Sequence, residues 1–175
     1  VSAPAAQFTP LTPLTDMTID SSTTAYPGGN HNASHLIDGD RETEYAADSA
    51  GVGTFVAFRF AAPVRVAAFR HIDRNDPATV TDSELIFMDD QGTVLSSSAV
   101  THTGRPAAHT VFVLPSPVTA QRVQWKVTGL GPQQYGTVGG AEIAFFTSEP
   151  PEAAPTRDTI TVKQFPILAK EAVGP

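Results

Sequence analysis

The segment QRVQWKVTG (121–129) alternates apolar and polar residues with period two, and this pattern restricts the fold more than any other feature of the chain. Val123, Trp125 and Val127 fall on one side, Arg122, Gln124 and Lys126 on the other, as in a half-buried strand. The same habit returns in TFVAFRF (54–60), where Val56, Phe58 and Phe60 share a face, and in VRVAAFRHI (64–72) after the turn AAP. SELIFMDDQGTVLSSSAV (83–100) reads as a hairpin with Asp90, Gln91 and Gly92 near its turn. HTVFVLP (109–115) stops at its proline, and GAEIAFF (140–146) closes the set. No window sustains a helical period. Strand runs recurring every ~8–12 residues with turn residues between them predict an all-β fold, an antiparallel sandwich or barrel.

The 175 residues fit one domain with tails. Residues 1–13 are rich in Ala, Pro and Thr and read as a linker or arm, and 148–175 as a Pro-rich linker plus a strand-like run, DTITVKQFPILAK. The core is expected in 14–147. A tail strand of this kind can return to its own sheet or pair with an edge of another copy. The net charge is −7 and the 11 Lys and Arg are scattered, which argues against nucleic acid as the partner. No apolar run approaches the ~18 residues of a membrane span. The absence of Cys removes disulfides and thiol chemistry. The opening VSAPAAQ reads like the start of a mature or trimmed chain, giving an expectation of a secreted, extracellular protein.

HLIDGDRETEY (35–45) and the residues just after it hold Asp38, Asp40, Glu42, Glu44 and Asp48 against a single Arg41. Such crowding needs either water or a shared cation. An EF-hand fails, because its sixth position would be Thr43 and its twelfth Ser49. A calcium site in a sandwich loop remains. Gly39 permits a tight curl that turns the oxygens of Asp38, Asp40 and Thr43 together, and Glu142, an acid opening an apolar strand, is the natural distant ligand.

In order along the chain, NASHLIDGDRETEY, TFVAFRFAAPVRVAAFRHIDRND, LIFMDDQG, TAQRVQWKVTG and VGGAEIAFF resemble the motifs of F5/8 type C (discoidin) domains and the related family 32 carbohydrate-binding modules. The resemblance covers about 18–147 and implies a jelly-roll, galactose-binding-like β-sandwich. It implies a structural calcium ion held by the carbonyls of His35 and Ala141, by side-chain oxygens of Asp38, Asp40 and Glu142, and by the hydroxyl and carbonyl of Thr43. Glu42, Glu44 and Asp48 would be left to solvent. It also implies glycan binding at loops, with Arg74 and Asn75 as the matching pair and His71, Tyr26 and Tyr135 beside them. One departure weakens that site: the family's Trp after the acidic loop is Tyr45 here.

No G-x-S-x-G elbow, H-E-x-x-H helix or P-loop is present, so the chain is expected not to be an enzyme. The sequence thus points to a non-catalytic module that binds a glycan or cell-surface polysaccharide. The alternative is a structural subunit of an extracellular assembly, paired through its C-terminal strand.

Overall fold

The computed structural model describes residues 10–133 and 136–148. The strand-like tail and Tyr135 lie outside these residues. Among the described residues nine strands run in order: β1 (Thr12–Pro13), β2 (Met17–Ser22), β3 (Tyr45–Ala46), β4 (Phe55–Ile72), β5 (Val80–Met88), β6 (Val94–Thr101), β7 (His109–Leu130), β8 (Gly139–Gly140) and β9 (Glu142–Thr147). A 3-10 turn at Ala33–Ile37 is the one helical element among the described residues, and no helix there is long and apolar enough to cross a membrane.

All pairings are antiparallel, and seven strands form one sheet in the order β1-β9-β4-β7-β5-β6 with β2 also on β4. Two long strands fold that sheet into a sandwich. The first half of β4 pairs with β2 and the later part of β7, and its second half pairs with β9 and the start of β7. The pairing breaks between Arg59 and Val64 and between Val66 and Ala68, where the strand turns the corner from one layer to the other. The expected turn AAP is therefore a bend inside one strand, and Pro115 likewise does not end β7. Both prolines sit at the corner, where a missing N–H breaks no ladder. A further correction falls at the N-terminal arm: Thr12 and Pro13 pair with Thr147 and Phe146, so the ordered sheet begins inside the stretch read as linker.

Between the layers Phe145 of β9 meets Phe58, Phe60 and Phe69 at ring separations of 5.4, 6.1 and 5.5 Å. Val123, Trp125 and Val127 are all fully buried, as the alternation predicted. Fully burying a large apolar side chain stabilises the fold by roughly 1.5–3 kcal/mol, which makes this stack the anchor of the sandwich. By register, the turns after Ile72 and before His109 lie at one end together with Glu142, and the corners of β4 and β7 lie at the other.

Candidate functional site

The acidic turn is organised by its own backbone. Asp38 accepts the amide of Asp40 at 2.9 Å and the Thr43 hydroxyl at 2.8 Å, and Asp40 accepts the amide of Glu42 at 3.0 Å. Gly39 takes φ +79°, a left-handed conformation that a side chain would strain. The upward push of partial burial on Asp38 is outweighed by those hydrogen bonds, which hold its carboxyl below the usual range.

Glu142 opens β9 opposite Ile72 and reaches this turn. Burial pushes its carboxyl up, the Gly39 amide pulls it down, and the neighbouring Asp38 charge pushes it up again. Its Oε1 is buried and accepts no hydrogen bond among the described residues. An ionised oxygen left so is costly unless a cation meets it. Among the described residues no three His, Asp or Glu side chains converge as a ligand cluster. Asp38 and Glu142 are close enough for one charge to press on the other, and a hard cation shared by them would need carbonyl oxygens for the rest of its shell. The His35 ring is buried and donates Nδ1–H to the Glu44 carbonyl at 3.0 Å.

Arg74 is buried, with Nε donating to Glu44 at 3.1 Å, Nη1 donating to the Thr137 carbonyl, and Asp76 at 3.9 Å. It holds three loops together and presents no face to a ligand. Glu44, expected to be solvated, is half-buried and also accepts the Asn75 amide at 2.7 Å. His71 is fully buried too. Its ring stacks on Trp125 at 5.0 Å and donates Nε2–H to the Gly139 carbonyl at 2.8 Å, so it belongs to the core and not to a ligand surface. Tyr26 is exposed, with its ring 6.0 Å from His31.

Of the expected ligand residues among those described, Asn75 lines the concavity at this end, a space of about 450 Å³. Its floor includes Ile72 and Ala141, and Arg41, Glu42, Asn75 and His109 stand around it. Those four side chains make no hydrogen bond among the described residues, so their polar groups are available. Asp73 lies beneath, 3% exposed, accepting the amides of Arg74 and Val80 at 2.9 Å each. Burial pushes its carboxyl up to about 7 against those hydrogen bonds. A concavity of about 520 Å³ sits at the opposite end, but there Arg59 is paired with Asp90 and Gln121 donates to the carbonyls of Phe60 and Ala61. The loop end is the better candidate because its donors and acceptors are unspent.

Sequence reasoning missed Arg41, Glu42 and His109 as rim residues. Arg41 and Glu42 read only as part of the acidic loop, and His109 as the first residue of a strand. Only the register of Ile72 opposite His109 shows that the two strands deliver their ends to one place.

No family model matches the sequence, and no curated protein matches it. Solved structures do. The family 32 carbohydrate-binding module of NanJ from C. perfringens, in complex with galactose, superposes with TM-score 0.62 at 18% identity, over 78% of this chain and 99% of that one. Chitosan-binding module 1 of a chitosanase/glucanase from Paenibacillus sp. IK-5 gives 0.61 at 17% identity, over 75% and 96%. The C-terminal domain of a chitobiase from Bacteroides fragilis gives 0.60 at 21% identity, over 78% and 98%. The fold is the discoidin-like β-sandwich of family 32 modules.

Proposed function

We propose that the chain is a non-catalytic carbohydrate-binding module that takes a saccharide at the loop-end concavity. The observation that carries this reading is the set of four unengaged polar side chains, Arg41, Glu42, Asn75 and His109, gathered around one opening. Fixed donors and acceptors of this kind select hydroxyl orientation, and the apolar floor of Ile72 and Ala141 suits the C–H face of a sugar. Among the described residues no Tyr or Trp lines the opening. Similar modules support the reading: one is in complex with galactose, and another is a chitosan-binding module. The natural setting is extracellular, on a free glycan or a cell-surface polysaccharide.

A glycan array followed by calorimetry tests this. Asn75→Ala and His109→Ala each weaken the binding of whichever sugar is found by about ten-fold, as expected for loss of a good hydrogen bond. Binding that survives both substitutions unchanged would place the sugar elsewhere.

We also assign a structural calcium ion to the turn facing Glu142, with Asp38 and Glu142 as side-chain donors and with Asp40, Thr43 and the carbonyls of His35 and Ala141 completing the shell. The ion would give the buried Glu142 oxygen its missing partner and tie the acidic turn to β9. Chelation should lower the melting midpoint by at least about 5 °C, calcium should restore it, and Glu142→Gln should abolish the response. A midpoint indifferent to chelator removes the ion.

A further inference from the structure

The chain carries 11 Lys and Arg and 18 Asp and Glu, yet residues 93–120 hold Arg105 as their only formal charge. That stretch contains β6 and the first half of β7, and the fold brings the two together. β6 ends the sheet, paired with β5 alone among the described residues. β5 in turn pairs with Arg122–Leu130 of β7. The first half of β7 therefore has β4 on one side and, among the described residues, no strand on the other. The Thr103 amide donates to Thr110 Oγ1 and the Thr103 hydroxyl to the His109 carbonyl, both at 3.0 Å, which holds the end of β6 against the start of β7. Two unpaired edges, one from each layer, thus line the same side of the sandwich.

Open edges are normally guarded by charge, proline, bulges or brevity. β2 carries Asp20 and a break in register after Ile19, and β1 is two residues long with Pro13. On this side the guard is slight: β6 has one bulge, at Leu95, and β7 has its prolines only at the corner. Four apolar side chains there, Val94, Leu95, Val111 and Val113, are each more than half exposed. We propose that this side docks a second copy of the same chain, apolar edge against apolar edge about a twofold axis. Charge selects that occupant. Each copy carries −7, so two copies repel over most of their surface and meet most easily where the formal charge is nearly absent. The eight residues of β6 at ~3.3 Å each, by roughly 20 Å across both layers and their side chains, give on the order of 500 Å² per copy. A stable dimer buries about 800 Å² per partner, so this association is weak and depends on concentration.

Sedimentation equilibrium of the full chain from about 5 to 500 µM, in about 0.15 M salt, tests this. The apparent mass is expected to climb from one copy toward two, with its midpoint near about 100 µM. Leu95→Lys on β6 and Val111→Lys on β7 should each weaken association at least about ten-fold, because each sets an ammonium against an apolar edge. Val52→Lys, on a similarly exposed apolar residue in the loop before β4, should leave association within about two-fold. All three side chains already face water, and unchanged urea midpoints show that each variant folds. A chain that stays monomeric at about 500 µM overturns the inference. So does a dimer that either edge lysine leaves intact, or that Val52→Lys breaks, since the copies would then meet elsewhere. None of the three residues lines the concavity, so any of these results leaves the saccharide reading standing.

Discussion

The guanidinium of Arg74 joins Glu44 from the acidic loop, Thr137 from the loop before β8, and its own neighbour Asp76. The side chains of Arg74 and Glu44 are 9% and 20% exposed, so removing one partner strands the other in poorly solvated surroundings. Arg74→Ala should therefore cost about 3 kcal/mol, while Arg41→Ala, on an exposed side chain, should stay within about 0.5 kcal/mol. Urea denaturation of the two variants checks this, and equal stabilities would show that Arg74 is not the clasp described. RHIDRNDP shows a polar turn at a strand end, and its resemblance to a binding loop is a resemblance of types. Whether Arg74 looks outward depends on where Glu44 and Thr137 arrive, and that is settled by long-range register. Glu142 was open to such reading because an acid at the head of an apolar strand is a local anomaly.

At the level of elements, β4 and β7 were visible as strands but not as continuous ones, since local turn chemistry at AAP and Pro115 looks the same whether the chain reverses or merely bends. Their long course brings His71 of β4 beside His102, with rings 4.8 Å apart and nearly perpendicular, and Ser83 is 2.6 Å from His102 Nε2. Burial, with the nearby His102, holds His71 down at about 3, and burial holds His102 at about 4. Unfolded, both take a proton near 6.5; folded, they resist it. Their contribution is thus complete above about pH 6.5 and is lost as pH falls through that value toward 4 and 3. Asp73 acts in the opposite sense: its folded carboxyl, raised to about 7, keeps a proton that the unfolded chain would release down to 3.8. At pH 5 the histidines lose roughly 2 kcal/mol each and Asp73 returns roughly 2–3 kcal/mol, so the wild type should lose only about 1–2 kcal/mol between pH 7 and 5. Asp73→Asn removes the offset and should lose about 4 kcal/mol over the same interval. Comparing the two isolates Asp73 from Glu142, whose burial acts in the same direction. Parallel pH profiles from urea titrations would show that Asp73 does not oppose the histidines.

For the molecule as a whole, the sheet separates two kinds of ending. Thr12 and Thr147 are register partners, so the two ends of the described body leave side by side near the corners of β4 and β7. The concavity lies where Ile72, His109 and Ala141 come together, several strand residues away at ~3.3 Å each. A module arranged in this way can be held by one end while the other stays open. Because the chain has no cysteine, single ones can be placed as handles. Ser116 is exposed at the β7 corner, and Arg105 is exposed on the loop that carries Ala107 and His109 to the opening. A bulky polymer coupled at Ser116→Cys should leave saccharide affinity within about two-fold, whereas the same polymer at Arg105→Cys should block most of it by crowding the rim. Calorimetry on both conjugates, each compared with its uncoupled form, reads the difference. If the polymer at Ser116→Cys is the one that blocks, the sugar sits at the corner end, and the unspent groups around Asn75 serve another purpose.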